Sequence, residues 1–211
     1  MRIHYAISFL LPLLQLSCEH TSYDTGDGKY SHMQTDYVNV KVKDCYVQSI
    51  TTDDDKVLSI STGMRIDVEP KDTLLRWLLY YSDNGNAPIE IVGRNTMWLL
   101  KPLESYEVIS MKTDPVTVTG VWVAKNRKYL NLRLGLKTGN SDNTAKQTVM
   151  LVKEGVSDDV VYYTLYHDQA GIPQYYTQEY FFTVETPEKK EINLTINTYN
   201  GVWHKQFRID N

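Results

Sequence analysis

Two cysteines, Cys18 and Cys45, are all that this 211-residue chain contains, so a fold stapled by several disulfides is excluded. Basic clusters are missing too. With 22 Lys and Arg against 26 Asp and Glu the formal net charge is -4. Nucleic acid is therefore not an expected partner, because phosphate binding requires a concentrated basic face. Helical periodicity is almost absent. So are the nucleophile elbow, the His-Glu-x-x-His pair, the phosphate loop and the Cys-x-x-Cys pair, which removes the commoner sequence-readable sites for nucleophiles, zinc and nucleotides. No cofactor and no metal are expected, and the chain reads as a non-enzyme. The competing enzymatic reading is a glycosidase, which needs only two suitably separated carboxylates; Asp67, Glu69, Asp158 and Asp159 are its candidates.

What is present begins with Met1 to Cys18. A lone Arg2 precedes the apolar core Tyr5 to Leu16, and the stretch closes on Leu16-Ser17-Cys18. The core is shorter than the roughly 20 residues a spanning helix needs, but it fits a removable signal with a small residue before the cut. Residues 1–17 are thus expected as signal peptide and Cys18 as the lipidated first residue, although Gln15 stands where an aliphatic side chain is usual. Each buried methylene contributes about 0.8 kcal/mol, so the two or three chains of a bacterial lipoprotein anchor firmly. The membrane is the first expected partner, and the expected address is the outer membrane, on its periplasmic face or at the cell surface. Residues 18–35 are rich in Thr, Ser, Asp, Gly and His and read as a flexible tether, because they cannot bury enough surface to fold. With Cys18 acylated, Cys45 has no partner and reads as a small buried hydrophobe.

Beyond the tether the pattern is of period 2. Val38, Val40 and Val42 alternate with polar residues, as do Met64, Ile66 and Val68. Leu74 to Tyr81 is nearly continuous and reads as a strand buried on both faces. Leu130, Leu132, Leu134 and Leu136 form a stripe on one face of another strand. Val116 to Ala124, Gln147 to Val152, Asp159 to His167 and Tyr175 to Glu185 have similar strand composition, with Pro115, Pro173 and Pro187 between the runs. Asp53-Asp54-Asp55 reads as a hairpin tip between Gln48-Ile50 and Val57-Ile60 and not as a metal site. A type I′ turn at Asn200-Gly201 would pair Tyr199 with Val202, Leu194 with Phe207 and Ile192 with Ile209, leaving His204 on a polar, solvent-facing side.

The chain is therefore expected to be all-β, dividing near Met111 to Pro115 into a small barrel (36–111) and a sandwich (114–211). It resembles the NigD-like lipoproteins of the Bacteroidetes, on Leu16-Ser17-Cys18, on Ile89-Glu90-Ile91-Val92 leading to Leu99-Leu100-Lys101-Pro102, on Tyr129-Leu130-Asn131-Leu132, and on Tyr166-His167-Asp168 opening a loop. The resemblance implies an N-terminal OB-like barrel followed by a C-terminal β-sandwich on a lipidated tether, and it brings no established activity. The Gly-Ile-Pro loop between Gln169 and Gln174 departs from the Asn/Asp-rich loop expected there.

His167-Asp168 is the sharpest polar pair. His167 shares strand parity with Val161, Tyr163 and Leu165, so it is read as an inward, structural imidazole with Asp168 turning the chain. Tyrosine combines a flat apolar face with a polar tip, and Tyr166, Tyr175 and Tyr176 join the pair as the candidate binding surface. The expected function is a non-catalytic, lipid-anchored binding or accessory protein of the cell envelope whose partner is an envelope protein or glycan. An inhibitor or immunity-type protein, which the resemblance would imply through bacteriocin loci, is the alternative, and an envelope polysaccharide hydrolase comes third. Oligomeric state has no signature here.

Overall fold

The alternation of valines at 38, 40 and 42 becomes a strand whose inward side chains are 0 %, 0 % and 3 % exposed. In the computed structural model, residues 32–211 are described except 72, 84, 86–87, 141–145, 189–190 and 210–211. Their strands are β1 (Met33–Lys43), β2 (Tyr46–Thr52), β3 (Val57–Leu58), β4 (Thr73–Ser82), β5 (Glu90–Leu100), β6 (Leu103–Glu104), β7 (Thr117–Val123), β8 (Tyr129–Thr138), β9 (Thr148–Ser157), β10 (Val160–Asp168), β11 (Tyr176–Glu185), β12 (Glu191–Thr198) and β13 (Gly201–Arg208). The signal segment, Cys18 and most of the tether lie outside the described residues. The protein is all-β, in two sheets ordered β3-β2-β1-β4-β5-β11-β8-β7 and β13-β12-β10-β9-β6.

The first five strands form the OB-like barrel. β1 pairs with β2 on one side and β4 on the other, and the Ile89 amide donates to the Ser59 carbonyl at 2.8 Å, drawing the ends of β3 and β5 together. Val38, Val40, Ile50, Trp77, Leu79 and Tyr81 fill the interior. The β1–β2 connection is a two-residue turn, Asp44-Cys45, with φ of 52° and 63°. Two successive left-handed residues match the twist of the flanking strands, and Cys45 is free and buried there. Met64 to Val68 keeps the expected alternation, with Ile66 buried and Arg65 and Asp67 exposed, yet it is no strand. It makes two backbone bonds across the start of β2, Val47 to Met64 and Ile66 to Cys45, and then departs.

The leucine stripe of β8 is the inner wall of the sandwich. Leu130, Leu132, Leu134 and Leu136 pack with Val161, Tyr163 and Leu165 of β10 and Ile192, Leu194 and Ile196 of β12. Fully burying such side chains contributes about 1.5–3 kcal/mol each. β10 and β12 run parallel while β11, between them in sequence, crosses to the larger sheet.

The C-terminal hairpin is registered two residues from expectation. Thr198 pairs with Gly201, Ile196 with Trp203 and Ile192 with Phe207, so Tyr199 and Asn200 make the turn. The Thr198 hydroxyl decides this by donating to the Gly201 carbonyl at 2.6 Å and accepting from the Asn200 amide at 3.2 Å. A shift of two preserves every face. His204 accordingly remains exposed, beside the Thr195 hydroxyl at 2.9 Å.

One sheet serves both hydrophobic cores. β5 pairs with β4 as far as Met97 and, from Met97 to Leu100, runs parallel to Phe181–Val184 of β11. The barrel wall thereby continues into the sandwich wall without a break in the ladder.

Candidate functional site

The face of the larger sheet that looks away from both apolar cores is where polar groups gather. Register places Asn39, Arg76, Met97, Phe181, Arg133 and Gly120 along one line across β1, β4, β5, β11, β8 and β7. The sheet curls so far that Tyr37 of β1 meets Trp122 of β7, with ring centroids 4.9 Å apart. Six strands thus form the walls of a cleft between barrel and sandwich.

Its floor is a buried polar lock. The Arg76 side chain is 0 % exposed and donates to Asp53 at 2.6 and 3.1 Å, to Asn131 at 3.1 Å and to Asn39 at 3.4 Å. Its guanidinium carbon lies 4.1 Å from the centre of the Tyr129 ring. Asn131 donates to Asp53 at 3.1 Å and accepts from the Thr183 hydroxyl at 2.9 Å. Burial of charge is tolerated only with such pairing. Asp53 comes from the acidic hairpin tip, whose other two members also reach across: Asp55 accepts from Lys128 at 2.9 Å and Asn126 at 3.2 Å, and Asp54 lies 3.8 Å from Lys125 while accepting from Thr52. The three aspartates form the expected hairpin tip between β2 and β3, with Asp54 and Asp55 about half exposed, and through these contacts they also clip the barrel onto the β7–β8 turn and the start of β8.

The mouth holds a cavity of about 450 Å³, within the range of small-ligand sites. Tyr37, Tyr80, Asn95, Arg133, Glu179 and Phe181 contribute to its lining. Arg133 donates to Glu179 at 2.6 Å and its guanidinium carbon sits 5.6 Å from the Phe181 ring centre. The hydrogen bond from Arg133 holds the Glu179 carboxyl below its usual range, and burial raises the Tyr37 hydroxyl. A carboxylate kept ionised by its own guanidinium serves as a hydrogen-bond acceptor, not as a proton donor near neutrality.

The residues singled out in the sequence lie elsewhere and do not converge. His167 is 0 % exposed and offers no surface; Nδ1 lies 2.9 Å from the Asp114 carbonyl and Nε2 2.9 Å from the Gln147 amide oxygen. Asp168 pairs with Lys112 at 2.6 Å and accepts from the Ala170 amide at 2.9 Å, so it turns the chain and fastens the 112–114 link to β10. Tyr166 alternates with His167 and faces the outside of the smaller sheet. Tyr175 and Tyr176 are exposed. Tyr176 shares the β11 face of Tyr180 and Phe182, which line a second cavity of about 660 Å³ together with Trp98, Leu100 and Lys146. Among the carboxylate candidates, Asp158 and Asp159 form the exposed β9–β10 turn, whereas Asp67 and Glu69 lie exposed on the extended segment of the barrel. Among the described residues no group of three or more His, Cys, Asp or Glu is placed to hold a metal ion.

Arg76, Asn131, Arg133 and Glu179 were not anticipated as a site. One signal for it was present: a single arginine inside the apolar run Leu74 to Tyr81, in a strand expected to be buried on both faces.

Residues 100–208 match the family described as the NigD-like C-terminal beta sandwich domain. No protein of curated function matches the sequence. Among solved structures, a NigD-like immunity protein from Bacteroides caccae superposes with a TM-score of 0.61 at 20 % identity, over 84 % of this chain and 97 % of that one. A protein of Parabacteroides distasonis, provisionally described as toxin-related, gives 0.60 at 13 % identity over 84 % and 94 %. A candidate lipoprotein of Bacteroides fragilis gives 0.59 at 13 % over 85 % and 99 %. At these identities the likeness establishes the fold. Because the family match takes in just over half of the residues and covers nearly the whole sandwich, the chain belongs to the NigD-like family.

Proposed function

We propose that this protein is a non-catalytic binding protein of the cell envelope, held to the outer membrane by lipid on Cys18, which receives its partner in the cleft between barrel and sandwich. The observation that carries the reading is the cleft itself: a concave, aromatic and polar site whose charged groups are paired to each other, as Arg133 is to Glu179 and Arg76 to Asp53. Such a site presents shape, ring faces and hydrogen-bonding groups, the usual means of recognition. The anchor supplies proximity, since a lipid-held domain samples partners along a surface.

Two measurements test it. Metabolic labelling with an alkynyl fatty acid marks the wild-type protein in the membrane fraction and fails to mark Cys18→Ser; an unlabelled, freely released wild type overturns the anchor. Immobilised protein retains an envelope component that Glu179→Gln together with Asn95→Ala releases; retention indifferent to these changes overturns the cleft as the site. The name of the Bacteroides caccae neighbour, an immunity protein, favours one alternative, protection against a toxin. A deletion strain sensitised to the supernatant of a sibling strain would support that reading, and unchanged sensitivity would remove it.

A further inference from the structure

Resting on the cleft as the binding site, we infer that its ligand is a neutral saccharide. Two properties of the lining lead there. The walls are strand faces: β1, β4 and β5 are laddered together, as are β11 and β8, while β5 and β11 join only through Met97–Leu100 and Phe181–Val184. Asn95 and Glu179 precede that junction, so the cavity sits beside the fork between the two strands. What it presents is the side chains of those faces.

Those side chains are the second property. Tyr37, Tyr80 and Phe181 are half-buried, while Asn95, Arg133 and Glu179 are exposed at the mouth. The Asn95 amide stands 3.5 Å from the Tyr80 hydroxyl. Among the described residues of the lining the one cation and the one anion hold each other at 2.6 Å, a pairing that gives phosphate, carboxylate or ammonium no net charge to meet. The pair nevertheless keeps free valence of both kinds: a guanidinium has five N–H donors and a carboxylate about four acceptor positions, more than one shared bond uses. Ring faces beside fixed donors and acceptors, without net charge, match a polyol with apolar C–H faces and hydroxyls at its rim. A cavity of about 450 Å³ has room for a short stretch of chain, and its open mouth lets the chain run on.

The test is calorimetric titration of the purified protein with short neutral oligosaccharides cut from glucan, mannan, xylan and galactan, beside acidic fragments of polygalacturonate and inorganic phosphate. A neutral oligosaccharide binds, and Tyr80→Ala or Asn95→Ala weakens it about tenfold, the loss of one ring face or one good hydrogen bond in a desolvated site. Asn95 is exposed, so its variant keeps the fold and serves where Tyr80→Ala unfolds. Tyr166→Ala, on the outside of the other sheet, leaves binding unchanged. Preference for the acidic fragments or phosphate, or sugar binding indifferent to both cleft variants, overturns the inference. If no sugar binds but an envelope protein is retained and lost in Asn95→Ala, the saccharide is wrong and the cleft reading survives. If nothing binds in the cleft at all, both fall.

Discussion

The guanidinium of Arg76 meets the carboxylate of Asp53 through two hydrogen bonds of 2.6 and 3.1 Å, and Asn131 of the sandwich touches both. A buried charge of the barrel is thereby satisfied partly by the neighbouring module. Asp53→Ala leaves that charge uncompensated and should destabilise the protein by about 3–5 kcal/mol in urea unfolding. Adding Arg76→Met should recover part of the loss, because the desolvation cost then disappears with the charge. Additivity of the two changes would show that the groups do not act as a pair.

Asp55 provides the contrast. It contacts Lys128 and Asn126 at the exposed rim of the same clip, where solvent screens the attraction. Asp55→Asn should leave the urea midpoint close to wild type, and a large loss would mean that the clip is stabilised chiefly at its rim.

His167 has a structural assignment that is open to measurement. His167→Ala removes the buried ring that links the Asp114 carbonyl to the Gln147 side chain, and the hydrogen bonding left unmade there costs about 1–3 kcal/mol. Thermal unfolding should shift downward accordingly while titration of the cleft ligand is unaffected. Loss of binding without loss of stability would return His167 to the functional residues.

Glu179 makes stability depend on pH. The hydrogen bond from Arg133 lowers its carboxyl in the folded state, so the stabilisation is fully present above the unfolded value near 4.5 and is lost as pH falls through the folded one. Glu179→Gln should remove this contribution at neutrality and flatten this part of the acid limb, so that the two proteins converge in stability as pH falls through the folded value. An acid limb identical to wild type would sever the link.

The leucine stripe offers a calibration. Leu132 is 0 % exposed between the two sheets, and Leu132→Ala should cost about 2–5 kcal/mol according to how far the walls can collapse. A cost below that range would mean that the sandwich closes over the lost side chain.

What was legible in the sequence was what alternation encodes. Val38 to Val42, the leucines of β8 and the inward parity of His167 are local consequences of a two-residue repeat. The hairpin of β12 and β13 was legible in its faces and mistaken in its register, because the Thr198 hydroxyl fixes the turn. The cleft was not legible. Tyr37 and Trp122 meet only because six strands curl, and Arg76 is partnered from β1, the β2–β3 tip and β8 at once; no window of neighbouring residues contains that information. The aromatic cluster around Tyr166, Tyr175 and Tyr176 drew notice by density alone, and strand parity then sent its members to different surfaces.

The shared ladder of β5 and β11 also governs how the molecule tolerates being cut. A boundary at residue 100 removes β5 and strips the row of hydrogen bonds that β11 makes through Phe181–Val184. A sandwich expressed alone would carry a raw, apolar flank inviting edge-to-edge association with its own copies. Soluble dissection of this protein should therefore retain both sides of that seam, and the aggregation of a piece lacking β5 would report on the seam and not on any failure of the sandwich to fold.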